Sequence, residues 1–337
     1  MKASKLPGLQ ALRGLAAVMV LIGHVLAEAE HYFALPLPGD AVPWTRGVDI
    51  FFVVSGFVIT LSAQRYLGRP RSFLWRRLLR VAPLYYFFTT LMVAALLLLP
   101  GAVKDTPLDF VQIVSSYAFF PHARPDGRIA PVLSLGWTLN YEIFFYAVMA
   151  LCLALRRPLV TVSGLLLVLA TLGLTVEFHL PQVVFWTNPL ILEFLFGIAL
   201  ARLWQSGKTC PNPILCTLTL AFGFALLVVL DPLPLPRFLA AGLPAALIVA
   251  AATLFCPKCA VPGQLLGDAS YAFYLSHRFA LRAATLLLLP LLPATPLGAW
   301  AYVVMTCFFA LCLGTLTHLF LERPFLRSRQ SQKVVPA

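Results

Sequence analysis

Long apolar runs follow one another along the chain from Leu9 to Phe320, separated by short polar interruptions. Each run is about 20 residues long, which is the length that an α-helix needs to cross the hydrocarbon core of a bilayer. Proline, glycine and charged clusters divide the runs into ten predicted spans, at residues 8–27, 47–63, 83–100, 137–155, 158–176, 186–204, 213–230, 238–256, 270–290 and 297–321. The pattern predicts an all-α integral membrane protein with a bundle of about ten transmembrane helices.

The composition supports this prediction, because 60% of the 337 residues are hydrophobic, 11% are charged and the mean hydropathy is +0.88. Such values lie outside the range of ordinary soluble domains. The apolar runs leave no room for a separate soluble domain, so we expect one transmembrane domain over residues 1–326. A short polar cytoplasmic tail is expected over residues 327–337.

The positive charges predict an orientation in the membrane. Of the 25 Lys and Arg residues, 18 fall on one side of the predicted spans, five on the other side and two within the ninth span. Because cytoplasmic loops carry an excess of Lys and Arg, both termini are predicted to be cytoplasmic. This distribution explains the formal net charge of +12 without a nucleic-acid partner, which we do not expect.

Ionisable residues inside the predicted spans are the first candidates for function, because charge in hydrocarbon is unfavourable. Arg13 and His24 are eleven residues apart in the first span, which places them within about 20° of one helix face and roughly 16 Å apart along the axis. A neutral imidazole toward the outer leaflet can take a proton from a hydroxyl, so His24 is the leading catalytic candidate. The alternatives are an interhelical hydrogen bond for His24 and a snorkelling side chain for Arg13.

Two carboxylates lie at a similar predicted depth. Asp49 opens the second span and could orient the imidazole of His24, or it could instead stabilise the positive end of its own helix. Glu142 lies more than a turn inside the fourth span, where a buried carboxylate needs a partner. We predict His24, Glu142 and Asp49 as the catalytic residues.

The fourth span also begins with residues suited to sugars. Trp137, Asn140 and Tyr141 combine aromatic faces with an amide, and we predict that they bind the acceptor. The alternative for Trp137 and Tyr141 is the aromatic belt that many membrane proteins place at the interface.

A basic cluster, Arg76, Arg77 and Arg80, precedes the third predicted span on the cytoplasmic side. Guanidinium groups bind phosphates through paired hydrogen bonds, so this cluster could hold the phosphates of a nucleotide-bearing donor. The alternative is that these residues only set the orientation of the chain. No metal-ligand spacing stands out, since Cys256 and Cys259 form a lone CxxC. Weaker candidates, for which an interhelical bond or an interface charge is the alternative, are Glu193, His277, Glu322 and Arg323.

Several blocks of the sequence, in this order, resemble the acyltransferase-3 family of membrane O-acyltransferases, and especially its exopolysaccharide-production branch. The blocks are residues 9–17 leading to His24, and residues 47–57, 73–85, 136–146, 189–197, 266–277 and 322–324. The resemblance implies that Arg13 and His24 are the family's Arg-x10-His pair. It also implies that Arg77 and Arg80 are its Arg-x-x-Arg motif near the donor.

The resemblance further implies the substrates and the location. The expected co-substrate is a cytoplasmic acyl-CoA, most commonly acetyl-CoA, with no tightly bound cofactor. The expected acceptor is a glycan or a lipid-linked sugar, and the expected partners are membrane lipid and polysaccharide-assembly proteins. The protein is expected to be a multi-pass protein of the bacterial inner membrane.

These observations combine into a hypothesis for the reaction. Donor phosphates bind Arg76, Arg77 and Arg80, Arg13 lies closer to the thioester arm, and His24 acts as general base on a sugar hydroxyl. A covalent acyl-histidine intermediate is the other route that the residues allow. The alternatives of another class are a glycan or lipid transporter, in which His24 and the carboxylates relay protons, and a polysaccharide-assembly scaffold without transferase activity.

Overall fold

The computed structural model describes residues 6–39, 42–99, 101, 103, 109–257 and 264–326. These ranges contain twelve α-helices: α1 (Pro7–Phe33), α2 (Gly47–Ala63), α3 (Pro70–Leu98), α4 (Phe110–Tyr117), α5 (Trp137–Cys152), α6 (Pro158–Thr175), α7 (Pro181–Thr187), α8 (Leu192–Gln205), α9 (Pro213–Leu230), α10 (Leu243–Ala250), α11 (Gln264–Leu288) and α12 (Pro296–Thr317). Short π-helical segments, Phe238–Gly242 and Ala251–Phe255, extend α10 at both ends. Within the same ranges the β structure amounts to one isolated bridge, between Ala123 and Ile129.

The prediction of an all-α membrane protein is confirmed. Nine stretches of the described chain are long and apolar enough to cross a bilayer: Pro7–Phe33, Trp44–Tyr66, Pro70–Leu98, Ser134–Cys152, Pro158–Thr175, Pro181–Gln205, Pro213–Leu230, Phe238–Phe255 and Pro296–Leu326. The ninth predicted span is also a helix, the 25-residue α11. It is not among the nine because Asp268, His277, Arg278 and Arg282 make it more polar. The predicted tail over residues 327–337 lies outside the described residues.

The third helix begins earlier than the sequence pattern predicts. The pattern places its start at residue 83, whereas α3 starts at Pro70 and continues through Pro83. Proline at the first helical position is favourable, since its fixed φ suits the helix and its missing N–H would have no partner there. Arg76, Arg77 and Arg80 therefore lie on the first turns of α3 and not in the loop that precedes it.

The chain folds into two compact units. The larger unit contains the start of α1, up to Leu12, and the helices α2 to α10. The smaller unit contains α1 from Arg13 onward, the following segment to Gly47, and α11 and α12.

The smaller unit is held by close packing of three helices. Its buried core combines residues of α1, of α11 and of α12: Leu21, Val25, Ala29, Ala280, Leu281, Ala284, Ala299, Tyr302 and Val303. Small residues matter because helices in lipid associate by packing and hydrogen bonds and not by excluding water. Gly314 of α12 shows the closeness of approach, because a Cβ there would lie 1.9 Å from the ring of Phe273 on α11.

The larger unit contains a similar close approach between α2 and α8. A Cβ added at Gly197 would lie 2.2 Å from the carbonyl oxygen of Val53, and one added at Gly56 would lie 2.2 Å from that of Phe194. The two glycines therefore let the two backbones meet, as small residues do at helix interfaces in membranes. This contact fixes the helix that carries Asp49 against its neighbour.

Gly197→Ala should therefore destabilise the larger unit, because the clash is with backbone atoms that cannot rotate away. We expect a loss of about 1–3 kcal/mol, the usual range for overpacking, seen as a lower midpoint of thermal unfolding of the purified protein in detergent. Gly164→Ala on α6 is the matched control, since no atom lies within 4 Å of its Cβ position. Equal midpoints for the two variants would contradict this account of the α2–α8 contact.

Candidate functional site

His24 and His277 meet inside the smaller unit. Nδ1 of His24 lies 3.2 Å from Nε2 of His277, and the two rings stack with centroids 5.1 Å apart and an interplanar angle of 29°. His277 is buried, with 3% of its surface exposed, whereas His24 is partly exposed. The guanidinium of Arg278 is close enough to interact electrostatically with both rings. The leading candidate from the sequence thus has a weaker candidate, His277, as its hydrogen-bond partner.

Arg13 shares the continuous helix α1 with His24. Because α1 is unbroken over Pro7–Phe33, the predicted placement of both residues on one helix face, roughly 16 Å apart, applies to the structure. Arg13 is partly buried and has interactions of its own.

Further polar side chains continue along α1 from His24. Glu28 and Tyr32 follow at steps of four residues, which places them on the face of His24. Thr285 of α11 donates to Glu28 at 3.4 Å, and Arg282 donates to the hydroxyl of Tyr32 at 3.4 Å. Glu28 and Tyr32 are not among the candidates predicted from the sequence, although their spacing from His24 is a visible signal.

Asp49, in the larger unit, forms a paired ion contact with Arg237. Nε of Arg237 donates to Oδ1 at 2.8 Å and its terminal nitrogen donates to Oδ2 at 2.9 Å. Asp49 is fully buried, and the Arg237 guanidinium also stacks over Trp137, 5.4 Å from the ring centroid. Both oxygens of Asp49 are therefore engaged by Arg237, one of the five basic residues predicted on the outer side of the membrane.

The signal for this pair was present in the predicted topology. Asp49 opens the second span and Arg237 immediately precedes the eighth, and both ends were predicted on the outer side of the membrane. Opposite charges at the same depth in hydrocarbon are expected to form an ion pair.

The three predicted acceptor residues cluster on the first turns of α5. Trp137 packs edge-on against Tyr141 at 5.9 Å, and Tyr141 stacks on Phe185 at 3.8 Å between centroids. Asn140 is 1% exposed, and neither amide atom has a hydrogen-bond partner among the described residues. A buried amide of this kind can donate to one hydroxyl and accept from another.

Glu193, a weaker candidate, joins the same region of the larger unit. It is fully buried at the start of α8, and it interacts electrostatically with Arg237 and Tyr141. Gly242 makes room for it, because a Cβ there would lie 2.8 Å from Cγ of Glu193. Arg237 thus interacts with two carboxylates, Asp49 and Glu193, and with the aromatic residues of α5.

Glu142 organises a second polar cluster in the larger unit. Ser55 of α2 donates to Oε1 of Glu142 at 2.8 Å, and Tyr146, one turn further along α5, donates to the same oxygen at 2.5 Å. Arg77 of α3 lies near enough to interact electrostatically with Glu142 and Tyr146. This partly buried carboxylate has the partners that hydrocarbon requires of it.

The three arginines of α3 have different environments. Arg77 is partly buried, donates to the hydroxyl of Ser62 and lies over the ring of Phe73. Arg76 is exposed and lies 5.6 Å from the centroid of Tyr66. Arg80 is exposed as well. Arg76 and Arg80 can therefore reach an external phosphate, whereas Arg77 is tied to the interior.

The remaining candidates are simpler. Glu322 is paired with Nδ1 of His318 at 2.7 Å in the π-helical segment that follows α12. Cys256 is disulfide-bonded, so its sulfur is not a metal ligand, and Cys259 lies outside the described residues. Among the residues that the structure describes, no three His, Cys, Asp or Glu side chains converge as metal ligands.

The chain is similar to a family of acyltransferases and to several individual proteins. Residues 6–318 match the family described as an acyltransferase domain. The chain is 34% identical over 326 residues to the exopolysaccharide production protein ExoZ of Rhizobium meliloti (strain 1021), covering 93% of this chain and 97% of that protein. It is 27% identical to the acyltransferase MdmB of Streptomyces mycarofaciens, covering 96% of this chain and 92% of that protein.

A third relative is longer than this chain. YrhL of Bacillus subtilis (strain 168), whose name describes a peptidoglycan O-acetyltransferase, is 25% identical over 95% of this chain and 54% of its own length. The chain therefore spans about half of that protein. No solved structure matches the chain significantly.

The Asp49–Arg237 pair should act primarily on stability. Arg237→Gln leaves the buried Asp49 carboxylate without its partner, which costs about 3–5 kcal/mol. Asp49→Asn should cost less, because Arg237 is partly exposed and still interacts with Glu193. The double variant removes both charges, so its loss of stability should be smaller than the sum of the two single losses. The test is to measure the midpoint of thermal unfolding of the wild type, the two single variants and the double variant in one detergent.

If the double variant lost as much stability as the two single variants together, Asp49 and Arg237 would not be energetically coupled, which would contradict this account of the pair. If Asp49→Asn instead abolished transfer with an unchanged unfolding midpoint, Asp49 would have the catalytic role that the sequence analysis assigned to it.

Proposed function

Because the chain belongs to the acyltransferase-3 family and is a membrane acyltransferase, we propose that it transfers an acyl group from acyl-CoA to a hydroxyl of an exported polysaccharide. We further propose that the acyl group is acetyl and that the acceptor is an exopolysaccharide or another envelope glycan. The names of two relatives, an exopolysaccharide production protein and a peptidoglycan O-acetyltransferase, support this acceptor class.

The observation that carries the proposal is the position of His24 within a membrane-spanning helix. Its Nδ1 lies within hydrogen-bond distance of Nε2 of His277, the imidazole also bonds to the backbone of Val20, and the residue as a whole is partly exposed. Contacts that fix the orientation of an imidazole without sealing the residue from its surroundings suit a general base.

In the proposed reaction, Nε2 of His24 takes the proton of the acceptor hydroxyl as the hydroxyl oxygen attacks the thioester carbonyl. The C–S bond breaks, and the imidazolium returns the proton to the departing thiolate, which gives an O-ester and free CoA thiol. The acyl-histidine route, in which Nε2 attacks the thioester first, uses the same nitrogen. Both routes require His24.

For the donor, we propose that Arg76 and Arg80 bind the CoA phosphates. Both side chains are exposed, and guanidinium groups form charge-assisted hydrogen bonds with phosphate oxygens. Arg77 has a different proposed role, because its bond to Ser62 and its proximity to Glu142 tie α3 to α2 and α5. Arg13 is proposed to assist the thioester arm, since it shares a helix with His24.

For the acceptor, we propose that Trp137, Asn140 and Tyr141 contribute to the sugar site. The buried amide of Asn140 has both a donor and an acceptor to offer, and the neighbouring aromatic faces suit the apolar face of a pyranose. The proposal places the protein in the bacterial inner membrane with both termini cytoplasmic. Membrane lipid and polysaccharide-assembly proteins are its proposed partners.

His24→Ala should remove the ester-linked group from the exported polysaccharide. The loss of general-base catalysis is expected to reduce the ester content about 100-fold or more, measured by mass spectrometry of polysaccharide from strains with equal levels of the protein in membranes. His179→Ala is the matched control, because His179 is exposed and lies outside the spans, and it should keep the wild-type ester content.

The other function classes predict different results. Normal ester content in His24→Ala would exclude His24 as the base and favour an assembly scaffold. Failure of polymer export in the deletion strain, with the remaining polymer esterified, would favour a transporter.

Arg80→Gln should weaken the donor site while leaving the chemistry intact. Removing one charge-assisted hydrogen bond is expected to raise the KM for acyl-CoA about tenfold, with a smaller change in kcat, in membranes titrated with acyl-CoA. Arg156→Gln is the control, since Arg156 is also exposed but lies after α5. The same KM in both variants would argue against a donor site at α3.

A further inference from the structure

We propose that His277 is a positioning residue that fixes the tautomer of His24, so that Nε2 of His24 carries the lone pair used in the reaction. This inference rests on the proposed function, because it explains how the imidazole of His24 is prepared for that role. It is based on a chain of hydrogen bonds that links three groups: the carbonyl of Phe273, the ring of His277 and the ring of His24.

The first group in this chain of hydrogen bonds, the carbonyl of Phe273, can only accept a hydrogen bond. Nδ1 of His277 lies 3.2 Å from the carbonyl oxygen of Phe273, one turn earlier on α11. A carbonyl has no proton to donate, so Nδ1 of His277 must carry the proton of this hydrogen bond. In a neutral imidazole the other nitrogen, Nε2 of His277, then has a free lone pair.

The lone pair on Nε2 of His277 determines which nitrogen of His24 carries the proton. Nε2 of His277 lies 3.2 Å from Nδ1 of His24, so Nδ1 of His24 must donate. Nε2 of a neutral His24 is then the unprotonated nitrogen. The second histidine does for the first what a carboxylate or a carbonyl does for many catalytic histidines, which is to choose the nitrogen that carries the proton.

The surroundings favour two neutral rings. Both histidines lie in the smaller unit within helices of the membrane domain, and the nearby charge is positive, from Arg278. A further positive charge beside a guanidinium in hydrocarbon is unfavourable. A histidine partner gives directional control without adding the negative charge that a carboxylate would add.

Two variants separate positioning from simple packing. His277→Gln keeps an acceptor at the end of the side chain, whereas His277→Leu fills the space without one. We expect His277→Leu to lower the ester content of exported polysaccharide at least about tenfold, as loss of the correct tautomer does in other histidine enzymes. His277→Gln should retain most of it, at equal protein levels.

The tautomer itself can be measured without any acyl transfer. In vesicles containing the full-length protein labelled with nitrogen-15 histidine, solid-state NMR should show Nε2 of His24 as unprotonated, with the signal assigned by its absence in His24→Ala. His277→Leu should change the protonation pattern of His24, and His277→Gln should preserve it. His179→Leu should leave it unaltered.

The two readouts distinguish the two proposals. An unchanged His24 spectrum in His277→Leu, or loss of ester in His277→Gln as complete as in His277→Leu, would overturn the positioning role of His277. If the spectrum changes as expected but the ester content does not depend on His24, the proposed function fails and the tautomer assignment stands.

Discussion

A polar side chain inside hydrocarbon has to find its hydrogen-bond partner within the protein, because lipid offers none. The arrangement of this molecule depends on that constraint. Asp49 is paired with Arg237, and His24 with His277, in each case across a long stretch of sequence. Each pair connects two helices, so these candidate residues also hold helices together.

The larger features of the fold could be predicted from the sequence because they follow from the length and spacing of its apolar runs. Apolar runs of about 20 residues, bounded by proline and charge, are sufficient to locate most of the spans. The start of α3 was predicted too late, since the arginines between Pro70 and Arg80 suggested a loop. An arginine-rich first turn is compatible with a helix when its long side chains can extend toward water. α11 was predicted as a span and is helical, although its polar residues exclude it from the nine described stretches that are apolar enough to cross a bilayer.

The candidate residues of the site are visible in the sequence, but most of their partners are not. An isolated ionisable residue in a span is visible in the sequence, as His24, Asp49 and Glu142 were. Which helices pack together is decided by close contacts that no spacing rule encodes. The bond from Ser55 to Glu142 therefore appears only in the structure. The pairing of Arg237 with Asp49 is an exception, because the predicted topology already places both residues on the outer side.

The proposed chemistry needs a base with one free nitrogen, an acyl donor held by charge and a hydroxyl acceptor. The family match gives the reaction class, and His24, held beside His277, is the proposed base. Radiolabelled acetyl-CoA added to isolated native membranes tests the central claim most directly, because those membranes contain their own acceptors. The account predicts base-labile label in the glycan fraction of wild-type membranes and none above background in membranes with an equal amount of the His24→Ala protein. Equal labelling in both preparations would contradict the account.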